Sequence, residues 1–507
     1  MIKSWLEITT NEQGQAIVIS NMFDFNATVI RNEVWYRGEP EELSQLYKNL
    51  NDSSSSFWTK ATHDVRKIHT GLPSLIVDTL TQIVVRDMDN IECDTRKVEL
   101  DKIIEDNNFT KLVSNALSLA LYKGDGAFKI SFDKSVSNEP IIEFYPADRV
   151  DFIFKRGRYC ETIFSNPIRH KGITFIHNEI YGYGYIKNEL IDTRNNKKVH
   201  MNTLEELADI DDYIFAGYEE DENENVKTKG SLNMAIPFYV YKNAKYENRG
   251  KSIFDSKVSS FDALDEVVSQ WLDAVRHGRA TKYIPESMIP RDKTSGELLK
   301  PNAFKHDFIK VKKGSMEEGD NGKIEVTQPT IPSTNYLESY STYLDLCLQG
   351  LISPSTLGID TKKLDNAEAQ REKEKTTLYT RNRLIQALQD TIPDVLETAL
   401  KALDVFNKKQ PSDEPLEITV NFGEYANPSF ESVVETMGKA KTSQIMSTKK
   451  IVDELYGDSM EDEDKEEEVK RIIDEYGTNF TVDEPGLIDD VNALNGGNPN
   501  DSTNTNK

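Results

Sequence analysis

A chain of 507 residues has room for roughly two to five domains. Its formal charge of −25 excludes a surface built to grip DNA tightly, because phosphate neutralisation by Lys and Arg supplies most of that affinity. No apolar run reaches the roughly 18 residues of a membrane span, and Cys93, Cys160 and Cys347 form no Cys-x-x-Cys pair, which argues against a disulfide framework or a zinc site.

"MIKSWLEITTNEQGQ" at the N-terminus lacks an apolar secretory stretch, so the chain is expected to stay where it is made, in a reducing compartment. With seven scattered histidines and no His-Glu-x-x-His, neither metal nor cofactor is expected. Leu43, Leu46, Tyr47 and Leu50 in 39–50 have helical spacing. "GLPSLIVDTLTQIVV" (71–85) starts a buried helix with Pro73. "FTKLVSNALSLALYKGDGAFKISFD" (109–133) reads as helix, Gly-Asp-Gly turn and alternating strand. Strands follow in "IIEFYP", "VDFIF", "CETIFS", "ITFIHNEIYGYGYI" and "IPFYVYK", dense in tyrosine and β-branched residues, with 218–230 as an exposed loop between them.

Gly250-Lys251-Ser252 matches the end of a phosphate-binding P-loop. The first glycine of that motif belongs at position 245, where Lys245 stands, so a turn before a helix is the better reading. From Phe254 the apolar residues Val258, Phe261, Leu264, Val268, Trp271 or Leu272, and Val275 form one helical stripe of about seven turns. Asp255 is placed to cap that helix or to stand in its first turn. Asp262, Asp265, Glu266 and Asp273 mark a solvated acidic face. Residues 283–333 change texture, with many Pro and Gly and short strand candidates "HDFIKVKK" and "KIEVTQ". Between Arg276 and Glu325, eleven basic residues stand against eight acidic ones, a local balance of +3. A second helix spans 333–351 with Ser333 or Thr334 as cap; a third follows from Asp365 and Glu368, which have capping-box spacing. Pro393 is expected to kink this third helix. A strand at 416–423, three charged helical stretches and a disordered tail complete the chain.

Six stretches, in order, resemble the portal proteins of long-tailed double-stranded DNA bacteriophages. They are "WYRGEPEELSQLY" (35–47), "IHTGLPSLIVDTL" (68–80), "LYKGDGAFKISFD" (121–133), "PIIEFYPADRV" (140–150), "RGKSIFDSKVSSFDALDEVVSQ" (249–270) and "NAEAQREKE" (366–374). The resemblance implies an α+β portal fold. Residues 1–252 would form most of the wing, 253–282 and 333–352 the stem, and 283–332 a small α/β clip. Residues 353–366 would be the tunnel loop, 367–410 a long kinked helix back to the wing, and 411–478 a wing strand and helical crown, with 479–507 the disordered tail.

The function so implied is a non-catalytic homo-oligomeric ring, usually a dodecamer, at one capsid vertex of a virion assembled in the host cytoplasm. Double-stranded DNA would pass through it without sequence recognition. The partners would be the large terminase subunit, a head-completion adaptor, and the major capsid and scaffolding proteins, with no membrane. In that frame Asp262, Asp265, Glu266 and Asp273 supply either a repelling channel wall or a solvated outer face. Thr361, Lys362 and Lys363 fall in the tunnel loop, where repetition around a ring makes a lysine collar. Lys310, Lys312, Lys313 and Lys323 fit a basic docking surface on the clip, while "HDFIKV" serves equally for strand pairing between subunits. The rivals are a structural scaffold protein without a channel and, less favoured, a nucleotide hydrolase or nuclease.

Overall fold

Strand Asp125–Ser131 is buried on both faces, which "AFKISF" did not announce. In the computed structural model it is the middle of a three-stranded antiparallel sheet, flanked by Ala235–Tyr239 and Ile141–Pro146. The structure describes residues 8–10, 16–18, 25–49, 56–59, 65–208, 210–215, 217–220, 226–278, 281–285, 308–311, 325–327, 330–359, 367–409, 416–423, 430–443, 445–456 and 462–477. Alternation fails for Asp125–Ser131 because both faces are covered: helix Phe109–Lys123 and the third long helix, Ala367–Phe406, pack against it, and its Lys129 face meets Phe164, Glu179 and Tyr181 of a second sheet.

A larger antiparallel sheet has the order Lys197–Val199, Tyr185–Asp192, Ile173–Gly182, Arg158–His170, Val150–Lys155, with Tyr213–Ile214 also on Tyr185–Asp192. Lys129 joins the two sheets. Its ammonium lies 2.8 Å from Glu179 and over the rings of Tyr145, Phe164 and Tyr181, so a buried cation keeps a carboxylate and three π faces. Within 218–230, the expected loop, residues 219–220 and 226–228 pair as a short hairpin, and Tyr218 is buried.

The helices at Pro40–Asn49 and Leu72–Arg86 form as their periodicity predicts. They share one core with helix Phe25–Arg37 and helix Lys97–Asp106, and that core runs from Val34 to Val420. Strand Ile418–Phe422 enters it by pairing with Met88–Cys93. Along Ala367–Phe406 the residues Leu384, Leu388, Ile392, Val395, Leu396, Ala399 and Leu400 are all fully buried, as their spacing predicts. Pro393 stands inside this helix. Asp365, the expected cap, lies outside the described residues, as does the tail 479–507.

The chain divides into two units, Met1–Gly423 and Glu424–Lys507. In the second, helices Phe430–Thr442, Thr448–Tyr456 and Asp462–Gly477 pack in sequence, and Ile451 and Val452 are buried there. No helix among the described residues is long and apolar enough to cross a membrane.

Candidate functional site

The Gly250-Lys251-Ser252 turn has no backbone donors to offer a phosphate. Gly250 N–H donates to Asp125 at 2.7 Å, Lys251 N–H to Tyr241 O at 2.7 Å and Ser252 N–H to Asp255 at 3.2 Å. Ile253 N–H goes to Leu121 O at 3.0 Å. A Cβ at Gly250 would stand 2.2 Å from Gly124 O, so glycine is required by the close approach of the Gly-Asp-Gly turn. Arg249 completes the lock with both Asp125 oxygens at 2.9 Å and the carbonyls of Ala147 and Val150 at 2.8 Å. A P-loop aims its free N–H groups at phosphate; these are spent on the fold.

From this anchor the first long helix runs Val258–His277, shorter than the stripe predicted, because Phe254 to Lys257 form turns. Asp255 does not cap it. Its carboxylate instead accepts from Asn32 at 2.9 Å and Arg31 at 3.4 Å, tying the turn to helix Phe25–Arg37.

The acidic face is also corrected. Asp265 is fully buried, accepting from Thr70 N–H at 2.9 Å and Thr70 Oγ1 at 3.0 Å, with His69 Nδ1 2.7 Å away. Asp262 accepts from Ser56 Oγ at 2.8 Å and Phe57 N–H at 2.9 Å. Burial raises the Asp262 carboxyl above its ordinary value, against the pull of those two donors, and the nearby Asp265 and Glu266 add to the rise. Ser269, one turn further, accepts from Ile68 N–H at 2.9 Å. These two aspartates therefore hold segments 56–59 and 65–70 rather than facing solvent. Glu266 and Asp273 are half-buried and bonded on their own helix, to Gln270 at 2.9 Å and His277 at 3.1 Å.

Sequence reasoning missed Ser56, Phe57, Ile68, His69 and Thr70 as partners. The available signal was the spacing of Asp262, Asp265 and Ser269, three and four apart and adjacent to buried Phe261 and Leu264.

The second long helix, Ser333–Leu348, packs beside the first; Pro332 precedes it and neither Ser333 nor Thr334 caps it. Trp271 stacks on Tyr336 with centroids 6.2 Å apart and planes 7° from parallel. Near the other end Lys257 Nζ donates to Leu346 O at 2.7 Å. Burial beside it pushes the Cys347 thiol up to about 12, which makes this cysteine an inert packing group.

Between the two helices lies a three-stranded sheet: Thr281–Pro285 pairs in parallel with Phe308–Val311 and antiparallel with Glu325–Thr327. Lys310 sits on the edge strand Phe308–Val311, opposite Ile284. Lys312, Lys313 and Lys323 lie outside the described residues. After the second helix, Ser353 N–H donates to Thr377 Oγ1 at 2.9 Å, securing the start of the following loop to the third long helix. Thr361, Lys362 and Lys363 of that loop also lie outside the described residues.

This arrangement has two long helices rooted in a mixed body, a small sheet between them, and a 40-residue helix returning to the core. The family model for "Phage portal protein, SPP1 Gp6-like" matches residues 26–479. Among curated proteins none matches the sequence. A solved chain from the "Virion of native gene transfer agent (GTA) particle" is similar at TM-score 0.42 and 11% identity, over 85% of this chain and 93% of that one. A second, from the "Neck of native GTA particle computed with C12 symmetry", is similar at TM-score 0.36 and 10% identity, over 76% and 90%. By the span of the family match, nearly end to end across both units, the chain belongs to the SPP1 Gp6-like family of phage portal proteins.

Proposed function

We propose that copies of this chain assemble into a ring-shaped channel at one capsid vertex of a virion, through which double-stranded DNA is packaged, retained and ejected. The observation that carries the reading is the family match over 26–479, which takes in the paired helices, the sheet between them and the returning helix. In this proposal 253–282 and 333–352 are the stem, 283–332 the clip, 353–366 the tunnel loop and 411–478 the strand and crown. Lys310, Lys312, Lys313 and Lys323 offer the clip's positive charge to the large terminase subunit during packaging and to a head-completion adaptor afterwards. The remaining contacts are with the major capsid and scaffolding proteins.

Glu266 and Asp273 are the acids of the first helix left for a channel wall, since Asp262 and Asp265 are committed to the fold. A wall of that sign denies the duplex a deep electrostatic well and lets it slide. Thr361, Lys362 and Lys363 would supply the touch that holds DNA at rest, through phosphates and without sequence information.

Mass photometry of the purified chain, paired with negative-stain images, tests the reading. The expected result is a closed particle of about twelve 57.7 kDa copies with a stain-filled hole. Monomers and dimers alone, across salt and concentration, would overturn it in favour of a structural component without a channel.

A further inference from the structure

The hydrogen bonds that join Asp262, Asp265 and Ser269 to the N-terminal segments all run one way. Each acceptor is a side chain of the first long helix, and each donor belongs to one of two short segments, 56–59 and 65–70. Among the described residues no backbone–backbone bond joins either segment to that helix. The segments are also tied to each other: Lys67 Nζ donates to Phe57 O and Thr59 O, both at 2.7 Å. Its ammonium lies 5.1 Å from the Phe57 ring centroid and 5.8 Å from that of Trp58. Phe57 and Trp58 are 3% and 1% exposed, so this arm plugs the core while its backbone is held by carboxylate.

We propose that segments 56–59 and 65–70 form a single catch that docks on and releases from helix Val258–His277 as one unit. The released state leaves Asp262, Asp265 and Ser269 without these partners, while the helix root stays tied to helix Phe25–Arg37 through Asp255. Two features make the catch all-or-none. Asp265 is fully buried with Thr70 and His69 against it, so a partial opening that breaks these bonds without admitting water leaves a carboxylate with nothing to accept from and is the costly state. Lys67 clamps the arms together, so whatever lifts one arm draws the other. Ser269 takes part in the same cluster, accepting from Ile68 N–H while donating to Asp265 O at 2.7 Å. The inference does not depend on the ring: it is a property of one chain.

Amide hydrogen exchange on the intact protein tests it, with Ser269→Ala as the mild variant and Asp262→Ala as the second. Ser269→Ala removes one acceptor, from Ile68 alone. If the catch is one unit, the amides of Phe57, Ile68 and Thr70 all exchange faster by a common factor of about five, while those of buried helix Phe109–Lys123 keep their rate. Asp262→Ala, which removes both acceptors on the other arm, then carries Ile68 and Thr70 along with Phe57. Acceleration of Ile68 alone in Ser269→Ala would overturn the proposal, because the arms would be opening independently. Equal acceleration in helix Phe109–Lys123 would overturn it too, because the segments would then open only with the whole unit.

Discussion

Two aspartates three residues apart on one helix do different work. Asp262 accepts from a hydroxyl and one backbone N–H. In Asp262→Asn the amide oxygen still accepts from Phe57 while its NH2 donates to Ser56 Oγ, whose own proton rotates away. In Asp265→Asn the NH2 faces either Thr70 N–H or His69 Nδ1; meeting the latter requires moving the imidazole proton to Nε2, which is buried with no acceptor. Asp265→Asn is therefore expected to cost about 1.5–3 kcal/mol, and Asp262→Asn clearly less, in urea unfolding followed by tryptophan fluorescence. The pH dependence separates them further. The folded Asp262 carboxyl titrates above 3.8, so between that value and its raised one the native state binds the proton more tightly than the unfolded state. Wild-type stability from this group falls as pH rises through the window, and Asp262→Asn lacks that loss. Relative to wild type the variant gains stability as pH rises through that window; a flat difference would mean that the carboxyl is not desolvated as the geometry implies.

At the scale of elements, Pro393 tests how far packing overrides local preference. Proline inside a helix removes one N–H and crowds the carbonyl four residues back, at a cost of about 3 kcal/mol. Helix Ala367–Phe406 nonetheless continues through it, with Ile392, Val395 and Leu396 fully buried on either side. Pro393→Ala is expected to raise the melting temperature, by up to about 3 kcal/mol of added stability; a drop would mean that the proline's bend is what fits the helix to the core. Such overrides also set what the sequence could disclose. Helices Pro40–Asn49, Leu72–Arg86 and Phe109–Lys123 were legible because their apolar period is local. Strand Met88–Cys93 was not, since it exists by pairing with Ile418–Phe422 at the far end of the same unit. Thr281–Pro285 was hidden likewise, its ladder partners lying beyond two long intervals of chain. The two aspartates were misread because acids at helical spacing look solvated whenever the covering segment comes from elsewhere in the chain. Gly250-Lys251-Ser252 was legible as a turn before a helix from the missing first glycine, and its N–H groups are indeed already bonded.

For the whole molecule, the net charge of −25 and a proposed role of passing DNA fit together only if contact is sparse. Each phosphate that a protein neutralises releases condensed counterion and adds about −0.9 to the slope of log K against log salt concentration. A channel that lets DNA slide should therefore show weak binding with a shallow slope, in contrast to the steep one of a protein that clasps the duplex. Fluorescence anisotropy of a labelled duplex on the assembled protein, over a salt series, reads this directly. If Lys362 and Lys363 form the collar, Lys362→Ala with Lys363→Ala should shorten the slope by up to about two phosphate contacts for each subunit that touches DNA. Affinity should fall most at low salt, and equally for unrelated duplex sequences, because phosphates carry no base information. An unchanged slope would assign those lysines to the protein's own contacts. It would turn attention to residues 276–325, whose balance of +3 is a second candidate place for this acidic chain to hold a polyanion.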